Sequence, residues 1–223
     1  MTGVTASRGL MPVTIETVDT KVFASAIDWP GWSRSGKGEP QALEALVAQA
    51  ARYASVARRA GLHVPDTLSV ADMDIVERVA GDASTTFGVP GRVTESDLRP
   101  ATSAQAERIA HLVQAAWDTL ADVVAAAPAE LRKGLRGGGR DRDKMVAHVE
   151  DAERAYVRKI GLRPPANAPM DAVRAEVIEV FRLGTDGSPL PGGTWPLRYA
   201  ARRFAWHILD HAWEIEDKSD PTG

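Results

Sequence analysis

The chain has 223 residues, of which 44% are hydrophobic and 26% charged, fractions that are typical of a globular protein with a core of ordinary size. The formal net charge of −3 argues against binding to nucleic acid through bulk charge. The chain contains no cysteine, which excludes disulfides, thiolate ligands to zinc and a cysteine nucleophile. Any bound metal must therefore use His, Asp or Glu.

The sequence shows no feature that would direct the chain to a membrane. No apolar run approaches the roughly 18 residues that span a bilayer. Residues 1–11 lack the apolar stretch of a secretory signal peptide. We therefore expect a cytoplasmic protein without a membrane partner.

The first part of the chain, residues 1–95, is predicted to be a small α+β domain. Runs rich in β-branched and apolar residues predict four strands, at 13–16, 22–27, 74–79 and 84–87. Pro and Gly predict loops at 28–32 and 35–38. A helix is predicted to start near Pro40, because proline is favoured at the first helical position, and to end at Gly61.

The second part, residues 96–223, is predicted to be all-α. Apolar residues recur with the helical period in four windows, at 104–127, 141–160, 170–183 and 196–216. The intervening segments hold most of the local Gly and Pro, including a glycine-rich loop at 137–139. Four helices joined in this way are typical of a helical bundle. The predicted fold is an α+β N-terminal unit followed by an all-α four-helix bundle.

Three of the five histidines are predicted to face the interior of this bundle. His207 and His211 are four residues apart in the fourth helix, so their side chains are neighbours and can share one metal ion. His148 lies beside the apolar stripe of the second helix. By contrast, His63 in a loop and His111 opposite a core face are predicted to be exposed.

Each inward histidine taken alone is more often a hydrogen-bonded core residue, and an isolated H-x-x-x-H pattern carries a real false-positive rate. Three that meet in one bundle favour a metal site, because burying several imidazoles costs free energy unless each is paired or coordinated. Three neutral imidazoles also leave a coordination position open, as in catalytic zinc sites. The open position would take water or an external thiol, and since the chain has no cysteine a thiolate would come from a low-molecular-weight cofactor.

The sequence does not identify a catalytic residue or a general base. Asp210 and Glu214 each follow a candidate ligand by three residues, so either could orient an imidazole, or both could be exposed helix charges. Arg198, Arg202 and Arg203 could bind a carboxylate or phosphate of a cofactor, or form a solvated face. Both pairs of alternatives stay open at this point.

The helical part resembles the DinB-like (DinB/YfiT) superfamily of four-helix bundles, which carries one histidine on its second helix and H-x-x-x-H on its fourth. The corresponding segments are KMVAHVEDAERAY at 144–156 and RRFAWHILDHAWE at 202–214. The resemblance covers about residues 104–217 and implies a divalent metal, zinc or nickel, bound by His148, His207 and His211. Some relatives are thiol-dependent transferases or isomerases, which implies a thiol S-transferase or hydrolase acting on a small molecule.

This chain departs from one branch of that superfamily. The mycothiol-dependent isomerases have an acidic residue among their three ligands, whereas this chain offers only histidines. Many relatives have no known reaction. DinB-like bundles often dimerise, so the resemblance also implies a homodimer as one assembly.

The first part is similar to the small α+β domain of HicB-type antitoxins, through residues 23–32, Gly36 and the helix from Gln41. Only the fold is carried over from that resemblance. Two functional alternatives to a metal-dependent enzyme stay open: a non-catalytic metal-binding or protein-interaction protein, and a regulatory module that binds a protein or nucleic acid through its first part. The net charge of −3 argues against nucleic acid.

Overall fold

The computed structural model describes residues 10–65, 67–134 and 139–219. Within these ranges the chain forms a four-stranded sheet with accompanying helices, followed by helices alone, so the fold is mixed α+β. Residues 137 and 138 of the predicted glycine-rich loop lie outside the described residues. None of the described helices combines the length and apolarity needed to cross a membrane.

The N-terminal unit is built on one sheet with the strand order β3-β2-β1-β4. The strands are β1 Met11–Val18, β2 Lys21–Ala26, β3 Ser33–Lys37 and β4 Met73–Ala80. β1 and β2 form an antiparallel hairpin whose turn contains Asp19 at φ 51, a left-handed conformation that aspartate tolerates. β1 and β4 are parallel, which requires a crossover connection, and α1 Glu39–Ala48 and α2 Ala50–Arg59 lie within it.

Three of the sequence predictions in this unit are wrong. The single helix from Pro40 is two helices, because the chain breaks at Gln49. The loop predicted at 35–38 lies largely in β3, where Gly36 serves close packing: a Cβ there would lie 2.4 Å from the backbone nitrogen of Ala42 in α1.

The strand predicted at 84–87 is also wrong, since a short helix, α3 Ala83–Thr86, lies there. Asp82 caps this helix by accepting a hydrogen bond from the Ser84 amide, and its own amide donates to Thr85 Oγ1. This reciprocal capping outweighs the β-propensity of the two threonines.

The second part contains four longer helices whose bounds lie close to the prediction: α4 Ser103–Ala126, α5 Arg142–Lys159, α6 Met170–Arg182 and α7 Leu197–Ser219. α7 packs against α4 and α5, and α6 packs against α4. α4 begins at a capping box formed by Thr102 and Gln105, a local signal that agrees with its predicted start.

α7 is the most deeply buried of these helices, because it contacts both parts of the chain. The Trp206 ring lies edge-on to Phe23 of β2, with 6.3 Å between ring centroids. Arg202 forms a buried ion pair with Asp97, at 2.6 Å. The buried apolar residues of both parts form one core cluster. The division into domains at residue 95 stays a prediction.

Candidate metal centre

The three inward histidines meet where α5 packs against α7. One nitrogen from each of His148, His207 and His211 lies within 4.8 Å of the other two. The ring centroids are 5.2 Å apart for His148 and His207, 4.9 Å for His148 and His211, and 4.6 Å for His207 and His211. Across the described residues this is the one group of at least three His, Asp or Glu side chains that could hold a metal.

Helix geometry and core packing place the three rings. His207 and His211 are one turn apart on α7, so both project toward α5. On α5, His148 lies between the fully buried Met145 and Val149, which hold that face of the helix against the core. His207 is 8% exposed and the His211 side chain 12% exposed. The cluster therefore lies at the margin of the core, with His148 and His211 partly exposed.

The other two histidines are exposed, as predicted. His111 on α4 pairs with Glu107 one turn earlier, at 3.1 Å. His63 lies in the loop after α2. Neither belongs to the cluster.

Two of the three rings, those of His148 and His207, favour the neutral imidazole, the form that binds metals. Burial is the main cause that lowers the pKa of His207 to about 3, followed by repulsion between its protonated form and the neighbouring His211, His148 and Arg203 side chains. Burial is also the main cause that lowers the pKa of His148, with Arg140 second. At neutral pH these two rings are therefore uncharged, and each carries a nitrogen lone pair.

One nitrogen of the cluster has no hydrogen-bond partner in the part of the chain that the structure describes. Nδ1 of His207 is buried and makes no hydrogen bond to any described residue. A buried polar atom without a partner costs free energy, and coordination of that nitrogen to a metal ion would offset this cost. Imidazole nitrogens are ligands that zinc and nickel accept, so the residues present fit a divalent metal.

A carboxylate orients one of the three rings. Glu214 Oε2 lies 3.0 Å from Nδ1 of His211, and Glu214 also accepts a hydrogen bond from Lys218. The hydrogen bond with His211 is the largest cause that lowers the pKa of Glu214 to about 2. A carboxylate that accepts the Nδ1 proton leaves Nε2 as the nitrogen available to a metal.

The other carboxylates near the histidines do not take this role. Asp210 forms an ion pair with Arg34 of β3, at 2.8 Å. Asp151 is exposed on α5, and neither it nor Glu150 hydrogen-bonds to a histidine among the described residues. Of the two acidic residues that follow a ligand by three positions, Glu214 is thus the one that contacts a ligand.

An aromatic residue and a cationic residue, Tyr156 and Arg203, border the cluster, and the sequence did not predict the contact between them. The Tyr156 ring centroid lies 5.9 Å from that of His207. Arg203 Nη2 donates a hydrogen bond to the Tyr156 hydroxyl, at 3.0 Å. The signal was present in the spacing, since Tyr156 is eight residues after His148 and Arg203 is four before His207.

Glu153 is a second buried residue that the sequence interpretation missed. It is 1% exposed and binds Trp117 of α4 and Arg174 of α6. Its signal was the repeat of four residues from Met145 to Val149 to Glu153, which places all three on the same face of α5.

Fold and site together define a mixed α+β protein with a three-histidine cluster on two packed helices. No protein-family model, curated protein or solved structure matches the chain. What the site can do must therefore be inferred from its own residues.

Proposed function

We propose that the protein binds one divalent metal ion, zinc or nickel, through His148, His207 and His211, and that it is a metal-dependent enzyme of the thiol S-transferase or hydrolase type. The observation that carries the proposal is the convergence of three imidazoles within 4.8 Å, one of which has a buried nitrogen without a hydrogen-bond partner among the described residues. Three protein ligands would leave a position for water or a thiol, as in catalytic zinc sites.

We also propose that α4, α5, α6 and α7 form a DinB-like four-helix bundle. The order of the elements supports this, because His148 lies on the second of the four helices and His207 and His211 on the fourth. The packing of α7 against α4 and α5 is compatible with such a bundle. The likeness of the first part to HicB-type domains remains a proposal about fold alone.

The residues of the chain would divide the work as follows. The three histidines hold the metal, and a bound divalent metal supplies the Lewis acidity that activates water or a thiol for nucleophilic attack. Glu214 holds the His211 ring in one orientation and fixes its proton on Nδ1. The partial exposure of His148 gives a substrate a side from which to approach.

A second candidate function is a metal-binding protein without catalytic activity. The observation in its favour is the lack of a free general base among the described residues that contact the cluster. Glu214 is engaged with His211 and Lys218, and the Tyr156 hydroxyl accepts a hydrogen bond from Arg203. A base would then have to come from the substrate or from a cofactor.

Metal content is the direct test of the binding site. Protein purified without a histidine tag is analysed by inductively coupled plasma mass spectrometry, as wild type, His207→Ala and His111→Ala. We expect about one equivalent of zinc or nickel in wild type and in the His111→Ala control, and none in His207→Ala. Wild-type protein that retains no metal after incubation with either ion would exclude the proposal and leave the three histidines as core residues.

Cobalt substitution separates the two candidate functions. An open coordination position allows an external thiol to bind Co²⁺, which changes the visible absorption spectrum of the ion. An enzyme of the proposed type should show this change with a small thiol such as mercaptoethanol. A spectrum that no thiol or other small ligand alters would indicate a saturated site and favour the non-catalytic function.

A further inference from the structure

Arg203 is a buried cation that pairs with no carboxylate in the described ranges of the chain. It is 6% exposed, and its Nε and Nη1 atoms are buried without a hydrogen-bond partner among the described residues. Its neighbour Arg202 is equally exposed, at 6%, but binds Asp97 and two backbone carbonyls. Burying a guanidinium costs free energy unless a carboxylate balances its charge and acceptors pair with its N–H groups. Arg202 has both kinds of partner, whereas among the described residues Arg203 has only the Tyr156 hydroxyl.

The position of the Arg203 guanidinium is well defined. Its Nη2 donates to the Tyr156 hydroxyl at 3.0 Å, and its central carbon lies 5.5 Å from the Tyr156 ring centroid and 5.2 Å from that of Trp206. Two aromatic faces and one hydrogen bond therefore hold the group in a fixed orientation. The unpaired donors belong to a group held in place before any ligand binds.

Arg203 also lies next to the histidine cluster. It is one helical turn before His207 on α7, and the Tyr156 ring that it contacts lies 5.9 Å from the His207 ring. The hydrogen bond between Arg203 Nη2 and the Tyr156 hydroxyl is only partly buried, so this is the edge of the guanidinium from which a ligand would approach. The Nε and Nη1 atoms are fully buried, so binding would require the side chains that cover them to move. In the planar guanidinium, Nε and Nη2 form one edge, and Nη1 and Nη2 form another. The two N–H donors of such an edge can bind the two oxygens of a carboxylate or phosphate at the same time.

We propose that Arg203 binds an oxyanion group of the small molecule whose reactive part reaches the three histidines. The assignment of this ligand as a substrate rests on the proposed function. The site therefore selects for small molecules that carry a carboxylate or phosphate group. Arg202, with its partners in Asp97 and two carbonyls, takes no part in this binding.

Calorimetric titration with inorganic phosphate tests the proposal, on metal-free and on zinc-loaded protein. The variants are Arg203→Gln and a matched control, Arg198→Gln, which removes the same charge from the same helix where the arginine binds the carbonyls of Arg99 and Pro100. We expect Arg203→Gln to weaken phosphate binding about tenfold or more, and Arg198→Gln to leave it unchanged. Equal losses in both variants, or no phosphate binding by wild type, would overturn the proposal.

A second measurement needs no variant to fold. In wild-type protein the Nε–H resonance of Arg203 is followed by NMR during the same titration, with acetate as a second probe for the carboxylate class. A shift of this resonance with either anion supports the proposal, and an unmoved resonance with both overturns it. If the protein binds no metal but phosphate moves the resonance, the proposed metal function fails and the oxyanion site stands. If the protein binds metal but the resonance does not move, the oxyanion site fails and the proposed metal function stands.

Discussion

At the residue scale, the hydrogen bond between Glu214 and His211 is the contact that bears most directly on the proposed metal site. It fixes the ring and its proton, and its Lys218 neighbour holds the carboxylate in turn. Partners of this kind tune the affinity of a metal site without touching the metal. Glu214 should therefore matter to metal binding although it is not one of the proposed ligands.

We expect Glu214→Gln to weaken zinc binding by about 10–100-fold, because the glutamine amide is a poorer acceptor for the His211 proton. Competition with a chromophoric chelator measures the affinity. The control is Glu216→Gln, which removes the same charge two residues away, where the carboxylate pairs with Arg52 at 3.5 Å. Equal affinities for wild type and Glu214→Gln would show that Glu214 does not support the site.

At the scale of elements, Glu153 joins three helices at one buried point. From α5 it accepts hydrogen bonds from Trp117 of α4 and from Arg174 of α6, the latter at 2.8 Å. Burial raises the pKa of Glu153, while the charge of Arg174 opposes that rise. The ion pair thus keeps α5, which carries His148, in register with its neighbours.

Removing only the cation should be costly. We expect Arg174→Met to destabilise the protein by roughly 3–5 kcal/mol at neutral pH, since it leaves the Glu153 charge buried and unpaired. Loss of Arg174 raises the pKa of Glu153 in the folded protein further above its value in the unfolded chain. The loss of stability relative to wild type therefore grows as the pH rises from the unfolded pKa to the folded pKa, and it shrinks on acidification. Urea denaturation at two pH values measures both effects.

The double variant Glu153→Gln with Arg174→Met is the control, because the neutral amide carries no charge to strand. We expect it to be more stable at neutral pH than Arg174→Met alone and to lose the dependence on pH. A double variant no more stable than the single one would mean that the charge of Glu153 is not the cause.

At the scale of the whole molecule, α7 lies between the sheet and the other long helices and contacts both. The loop after β2 approaches it so closely that Gly31, at φ +92, has room for no side chain: a Cβ would lie 2.8 Å from Leu209 Cδ1 and 3.0 Å from Ala205 Cβ. Leu209 lies midway between His207 and His211 in the sequence. The N-terminal unit therefore packs directly against the segment of α7 that contains two of the proposed ligands, His207 and His211.

We expect Gly31→Ala to destabilise the protein by about 2–4 kcal/mol, from positive-φ strain and overpacking against α7 together. It should also weaken zinc binding, since relief of the clash displaces the segment between the two histidines. Gly61→Ala is the matched control, at φ +72 with nothing within 4 Å of the added Cβ, and should cost about 1 kcal/mol with zinc affinity unchanged. Thermal unfolding and chelator competition measure the two effects, and equal results for both variants would rule out a role for the contact.

The sequence by itself determined the features that depend on local geometry. Apolar spacing located the four long helices to within a few residues of their bounds, because the helical period acts within one element. The interval of four between His207 and His211 likewise determined that their rings adjoin, since one turn of helix separates them. The two exposed histidines were also predicted, from a loop position and from the side of a helix opposite its core face.

Only the tertiary structure decided which residues from different elements meet. Glu214 and Asp210 have equal spacing from a ligand, but Arg34 of β3 engages Asp210 and leaves Glu214 to His211. The burial of Arg203 and Glu153 could not be predicted from their residue types, because charged side chains are usually exposed. Whether such a side chain is buried depends on contacts with residues far along the chain. The physical reason is that periodicity sets the face on which a side chain lies, whereas packing between distant segments sets what that face meets.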